Sequence, residues 1–349
     1  MKKIAIVTKK MTMGGVEKTL ISMLENIDSE KYDVTLFTIE GGGELLKQVP
    51  PYVHTRVIPD VYTSTIDKII NLLKRLKIVD IIKLIYNNIA LKKARTIYKS
   101  FIHYSKTLPI VEEEYDLAIS YYNPTNFPVI YTIKNIKANK KAMWIHSDIS
   151  SYDDIKYYEE IYDTYDKIFN VSEEGKNKLI KIFPNLEHKI DVFYNIVNQN
   201  EIIQKAQNGE GFDDKFDGIR ILTVGRLSIE KGQHLIPNIV SKLIKDGYNI
   251  RWYCIGDGNL RKEIEDSIKE KNIENRLILL GTKENPYTYM KDCDIYVQPS
   301  KLECYCTTVT EAKCFNKPIV LADFNASHEQ IENYKTGIIT KYDDYELYK

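Results

Sequence analysis

The sequence has no excess of charge of either sign: 49 lysines and arginines balance 49 aspartates and glutamates over 349 residues. No global field favours nucleic acid or an acidic partner, so any electrostatic attraction has to be local. Long apolar runs are also missing, and no segment reaches the roughly 18 uninterrupted apolar residues of a spanning helix. The opening MKKIAIVTKK is broken at Lys9 and Lys10, too soon for a secretory signal, and reads as a first buried strand. These features predict a cytoplasmic protein. Cysteine pairs at CxxC spacing are absent. Cys254, Cys293, Cys304, Cys306 and Cys314 read as reduced, packed thiols, and a zinc site among the last four is set aside for want of paired ligands. The dinucleotide fingerprint GxGxxG does not follow the first strand, which argues against a nicotinamide or flavin enzyme.

What the sequence does contain is alternation. Short runs rich in Ile, Val, Tyr and Phe alternate with amphipathic stretches of helix length, the pattern of parallel sheets covered on both faces. Strands are expected at 4–8, 34–39, 55–58, 117–121, 142–146, 168–171 and 190–194. Residues 196–218, polar and with three glycines, hold one short helical stretch and read as a linker. A second series is expected at 219–224, 251–255, 277–280, 295–298, 319–322 and 337–340. The expected architecture is α/β: two tandem Rossmann-like, doubly wound domains facing a cleft, spanning 1–200 and 212–349. In such sheets ligands gather beyond the carboxyl ends of the strands.

Three constellations sit at such ends. Gly14-Gly15-Val16-Glu17 precedes a helical stretch, where paired glycines let the backbone approach a ligand and free helix amides favour an anion; a tight turn explains the glycines equally well. Arg226 and Lys231 follow the first strand of the second series, beside Gly225 and Gly232. Two cations there suit a diphosphate whose charge must be met when it leaves, unless both are merely solvated. Glu303 and Glu311 flank a helix start expected near Thr307. One carboxylate could accept from sugar hydroxyls and the other from a ribose diol, although helix starts favour acids without any ligand.

Together with Trp144 to Asp148, Asn170 to Lys176, Val224 to Gly232 and Gly256 to Arg261, these residues resemble glycosyltransferase family 4, whose members have the GT-B fold. The resemblance covers nearly the whole chain. It implies a retaining, metal-independent transferase that needs no cofactor and moves a sugar from a nucleotide sugar, a UDP-sugar by family frequency, to a glycan or lipid-linked acceptor. It implies that Arg226 and Lys231 bind the diphosphate, Glu303 the transferred sugar and Glu311 the ribose. Gly225 and the amides of Thr307 and Thr308 would join the phosphate site, Thr282 would lie near the base, Gly15 would approach the phosphates, and His146 would face the reacting sugar. A satisfied strand-end histidine is the plain alternative for His146. Asp292-Cys293-Asp294 has the DxD form used by metal-dependent transferases, but it precedes a strand and reads as structural. Cys304 and Cys306 stand where many relatives have glycine, and the chain ends at Lys349 where relatives usually add crossover helices, which are expected to be missing. A catalytically silent subunit that binds a glycan or a partner transferase is the competing reading, and the full set of charged residues speaks against it.

Residues 63–106 stand apart, with ten lysines and arginines against two acids, a local charge of +8, interleaved with Ile and Leu. Lys74, Arg75, Lys77, Lys83, Lys92 and Lys93 belong to this run. Mixed apolar and cationic residues at helical spacing suit a helix lying on an anionic membrane surface. The expected location is then peripheral, on the inner face of the cell membrane, with a lipid-linked acceptor as in bacterial capsule or other surface polysaccharide assembly. Helices packed on the core with a solvated basic face are the alternative.

Overall fold

Each of the thirteen apolar runs folds as a strand. The computed structural model describes residues 1–349 apart from the side chain of Ser151. It divides the chain into two units, Met1–Ile196 and Val197–Lys349. The first unit contains β1 (Lys2–Thr8), β2 (Tyr32–Thr38), β3 (His54–Val57), β4 (Val111–Tyr122), β5 (Ile136–Ile145), β6 (Lys167–Asn170) and β7 (Ile190–Val192). They pair in the order β3-β2-β1-β4-β5-β6-β7, all parallel. The second unit contains β8 (Ile219–Val224), β9 (Ile250–Ile255), β10 (Leu277–Gly281), β11 (Ile295–Gln298), β12 (Ile319–Ala322) and β13 (Ile338–Thr340), in the order β10-β9-β8-β11-β12-β13, again all parallel.

Parallel pairing forces every return through a crossover connection, so both faces of each sheet are covered and the central stretches of the inner strands are apolar on both faces. In the second unit, Leu222, Val224, Tyr253 and Ile255 pack on one face with Met290 and Val309. Ile221, Trp252, Cys254 and Val297 pack on the other with Ile236, Val240 and Ile264. The strand order reverses direction at β1/β4 in one unit and at β8/β11 in the other, and the loops diverge there to leave room for a ligand.

β4 and β5 begin well before their apolar cores, because ion pairs hold the exposed leading ends together. Lys137 pairs with Glu112 at 2.7 Å, while Lys3 and Arg56 both reach Glu113, at 2.7 and 2.9 Å. The segment read as a linker is likewise held down. Ile202 and Ala206 of its helix are buried, and Asp214 binds Arg220 and Arg251 at 2.8 Å each, with Phe216 beneath Arg251 at 4.4 Å.

The basic run forms three helices, α2 (Thr65–Lys74), α3 (Ile78–Lys93) and α4 (Ile97–Ser105), after α1 (Gly15–Glu25) earlier in the chain. Ser64 caps α2 and Thr96 caps α4 by accepting from backbone amides three residues on. α4 is the anchor: Phe101 and Tyr104 lie 5.5 and 4.9 Å from Phe127, and Tyr98 lies 4.9 Å from Tyr158. α2 and α3 pack in turn on this anchor and leave most of their apolar side chains in solvent. Among the described residues no helix is long and apolar enough to cross a membrane.

The hydrogen bond from Lys3, opposed in part by burial and assisted by Arg56, draws the Glu113 carboxyl down to about 2 from its ordinary 4.5. A depressed acid stabilises the fold above its unfolded value and loses that contribution as pH falls toward the folded value. Glu113→Gln is therefore expected to lower stability by about 1 kcal/mol at pH 7, the scale of solvent-screened pairs. The difference should close between pH 4.5 and about 2. Urea unfolding of both proteins across that range checks it, and a pH-independent difference would contradict the assignment.

Candidate active site

The crest of the second unit is built by the loops leaving β8 and β11. Gly232 ends the short turn Ile229–Lys231 with φ 75°, and a Cβ there would lie 1.7 Å from the Pro299 carbonyl oxygen. Only glycine lets the two loops approach this closely. Lys301 and Leu302 then donate backbone N–H bonds to the Glu230 carbonyl at 2.8 and 3.2 Å. Gly256, with φ 134°, makes a similar approach from β9, where a Cβ would fall 2.0 Å from the Gly225 carbonyl oxygen.

This frame places Lys231 against Glu303. Lys231 Nζ donates to Glu303 Oε1 at 2.6 Å, and the same oxygen accepts from Ser300 Oγ at 2.8 Å. The Glu303 side chain is 9 % exposed, so the carboxylate is desolvated and paired. Burial opposes the charge on Lys231, but Glu303 beside it prevails and holds the ammonium pKa above its usual value. Behind Glu303 a relay fixes the loop: Tyr296 OH and Thr308 Oγ1 donate to Gln298 Oε1 at 2.8 and 3.2 Å, and Gln298 Nε2 donates to Ser300 Oγ at 2.9 Å. Tyr296, Gln298 and Ser300 did not figure among the expected site residues, although a polar Gln closing an apolar strand was a readable signal.

Arg226 stands at the same crest, exposed and without an ion pair among the described residues. The helix Thr307–Lys313 begins at Thr307, as the spacing predicts. Glu311 is buried on that helix and accepts from Tyr287 OH at 3.1 Å. Thr282 lies exposed just beyond β10. Gly225 continues β8, its N–H bonded to the Ile255 carbonyl at 2.9 Å. Cys304 and Cys306 are buried under the loop, and burial, reinforced by Glu303, pushes the Cys306 thiol up to about 12, so it stays protonated. Asp294 lies at the opposite edge of the sheet, where it accepts the Arg220 backbone N–H at 2.7 Å.

On the first unit, Gly15 opens α1 and is exposed, and a Cβ there would meet nothing within 4 Å. Packing does not demand glycine at that position. His146 follows β5 with its ring 4.2 Å from Tyr121. Its buried Nε2 finds no well-formed hydrogen bond, and burial, opposed only in part by Asn195, holds its pKa down to about 3. The imidazole is neutral and has an unsatisfied nitrogen, the condition of a group kept for a ligand. At the same crest a cavity of about 310 Å3 lies among Lys9, Glu40, Tyr62, Tyr104 and Phe127.

Residues 204–349 match the family model described as glycosyl transferases group 1. The chain is 28 % identical over 258 residues to an uncharacterized glycosyltransferase of Methanocaldococcus jannaschii, covering 68 % of this chain and 63 % of that protein. It is also 28 % identical over 185 residues to the N-acetylgalactosamine-N,N'-diacetylbacillosaminyl-diphospho-undecaprenol 4-alpha-N-acetylgalactosaminyltransferase of Campylobacter jejuni, covering 53 % of this chain and 49 % of that one. The chain thus spans about half to two thirds of the length of these relatives. The solved structure of Anabaena HepE in complex with UDP and glucose superposes with a TM-score of 0.70 at 17 % identity, covering 100 % of this chain and 88 % of that chain. The chain therefore has the two-domain α/β fold of the GT-B glycosyltransferases. The match to the glycosyl transferases group 1 model lies within its second unit.

Gly232→Ala forces a side chain into a left-handed position against a carbonyl. It is expected to destabilise the second unit by about 1–3 kcal/mol. It should also separate Lys231 from Glu303. An unchanged thermal unfolding midpoint would show that the two loops do not need this approach.

Proposed function

We propose that the protein is a retaining, metal-independent glycosyltransferase that moves a sugar from a nucleotide sugar, most simply a UDP-sugar, to a glycan or lipid-linked acceptor in bacterial surface polysaccharide synthesis. The observation that carries the reading is the Lys231–Glu303 pair at the β8/β11 switch point, with unpaired Arg226 beside it. In the reaction the bond from the sugar's anomeric carbon to the diphosphate oxygen breaks, and a bond to an acceptor hydroxyl oxygen forms on the same face. The acceptor's proton passes to the leaving phosphate. Arg226 and Lys231 meet the negative charge that grows on that phosphate, the task a divalent ion performs in other transferases.

Glu303 would hold the sugar hydroxyls, and Glu311, buried on the helix that starts at Thr307, would accept from the ribose. Gly225 with the Thr307 and Thr308 amides would line the phosphates, and Thr282 would border the base. On the first unit, Gly15 would lend backbone amides and His146 a neutral imidazole to the reacting sugar. The aromatic cavity near Tyr62 and Tyr104 would receive the acceptor. The Campylobacter relative's name specifies a diphospho-undecaprenol substrate, which supports a lipid-linked acceptor here.

The α2–α3 pair supports a peripheral position on the inner face of the cell membrane. Ile66, Ile70 and Leu73 are exposed on α2 at helical spacing, and Ile78, Ile82, Ile85 and Ile89 form a second exposed stripe on α3. Lys74, Arg75, Lys77, Lys83, Lys92 and Lys93 are exposed around them, so apolar insertion and anionic headgroups are both accommodated.

Donor hydrolysis assayed across UDP-, GDP- and ADP-sugars tests the class. Turnover of one donor is expected, and silence with every donor from a folded protein would instead favour a binding subunit. Glu303→Ala is expected to reduce transfer at least 100-fold while changing free UDP affinity less than about threefold, since one lost charged contact in the transition state costs about 3 kcal/mol. Equal loss of both would contradict the assigned role. In liposome flotation, the triple change of Lys74, Arg75 and Lys77 to Glu should abolish binding to anionic vesicles, because each basic residue near the surface contributes about 1 kcal/mol. Unchanged flotation would remove the membrane reading.

A further inference from the structure

Between the carboxyl-terminal end of α3 and α4 lies a groove of about 510 Å3 that takes no part in the donor site. Its walls carry Lys93, Arg95, Lys99 and His103 beside Tyr86 and Ile89, and no carboxylate. The only acid of α3, Asp80, is spent on Lys83 at 4.0 Å, and α4 has none. Lys93, Arg95 and Lys99 are exposed and form no ion pair among the described residues. His103 Nδ1 lies 3.1 Å from Asn87 Oδ1, an oxygen that can only accept, so Nδ1 carries the proton and Nε2 is the free end of the ring. Burial first, then the charges of Lys106 and Lys99, hold this imidazole below its ordinary pKa.

Several like charges converging on one concavity without a counter-charge repel one another until an anion arrives, and phosphate oxygens are the acceptors that Arg and Lys bind best. The rim identifies what bears the anion. Tyr86 and Ile89 are 65 % and 49 % exposed, and the stripe through Ile82 and Ile85 continues from them along α3. An anion bound here has apolar surface at its side, the surroundings of a lipid head at the boundary of its chains.

We propose that this groove binds the anionic phosphate head of a membrane lipid, held by Lys93, Arg95 and Lys99 while the apolar stripe of α3 lies in the adjoining acyl boundary. The proposal rests on the membrane-facing reading of these helices and adds a defined site to what is otherwise a diffuse basic surface. One phosphate chemistry has two lipid sources, a bulk phosphoglycerol lipid or a polyprenyl diphosphate carrier.

Co-sedimentation of the full chain at fixed salt tests it. Three vesicle types are compared: phosphocholine alone, phosphocholine with phosphatidylglycerol, and phosphocholine with a few per cent of a polyprenyl diphosphate. The pair Arg95→Glu and Lys99→Glu is expected to weaken binding to at least one anionic vesicle tenfold or more. The pair Lys262→Glu and Lys269→Glu, the same charge change on exposed residues of the second unit, should weaken it less than threefold. The vesicle that shows the selective loss names the source. Equal loss in both pairs would overturn the site in favour of bulk charge. Saturation by free inorganic pyrophosphate, with no preference for anionic over phosphocholine vesicles, would overturn the lipid head. Arg95→Gln with Lys99→Gln is measured alongside and should give the same selective loss in a milder form, with thermal unfolding showing both variants folded. Donor hydrolysis should be unchanged in these variants, so a failure of the donor chemistry in the parent protein is read separately from a failure of this groove.

Discussion

The parallel pairing of β8 with β11 is the constraint on which the second unit's chemistry depends. Two parallel neighbours send their loops out of the same edge, and the strand-order reversal at that point means no crossover helix fills the space between them. The Gly232 approach to Pro299 then brings the loops close enough for Lys231 to meet Glu303. The site is thus a product of backbone contact first and side-chain charge second. A desolvated carboxylate that has already found its cation needs no water, and the Tyr296, Gln298 and Ser300 relay keeps it from turning away. Donor binding would redistribute an existing charge balance, with the diphosphate competing with Glu303 for Lys231 and so freeing the carboxylate for sugar hydroxyls.

The two units share one topology and use it differently. On the second, charged side chains crowd the crest; on the first, the crest offers bare backbone at Gly15, an uncharged imidazole at His146 and an aromatic cavity. That division suits a reaction in which one partner is a polyanion and the other an alcohol. The helices inserted between β3 and β4 add a third surface, fixed to the core through the rings of α4 and the Asn135 hydrogen bond to the Ser105 carbonyl.

Strand positions were legible because buried parallel strands are apolar on both faces, so runs such as Ile219–Val224 and Ile295–Gln298 announce themselves. Strand lengths were less so. β4 and β5 extend through Glu112, Glu113 and Lys137, where cross-strand ion pairs replace apolar burial and leave no periodic trace in either segment alone. The acidic and basic residues of the second unit's crest could be picked out by their place after strands, but their pairing could not, since 72 positions separate Lys231 from Glu303. Asp214 shows the converse. It lies in a polar, glycine-containing stretch that looks like a tether, and its two arginine partners are what bind that stretch to the sheet edge.

The cysteines have a consequence of their own. Cys254, Cys293, Cys304 and Cys306 are buried, and burial drives the thiols of Cys254, Cys293 and Cys306 upward in pKa. All four lie in the second unit: Cys254 in β9, Cys293 at the end of the helix before β11, and Cys304 and Cys306 in the Glu303 loop. A thiol that is both shielded and protonated ignores alkylating reagents until the backbone around it opens. The rate at which Cys304 and Cys306 become labelled therefore clocks the breathing of the Glu303 loop, while Cys254 clocks the melting of the sheet beneath it. The chain carries, in its own sequence, a pair of timers for local and global opening.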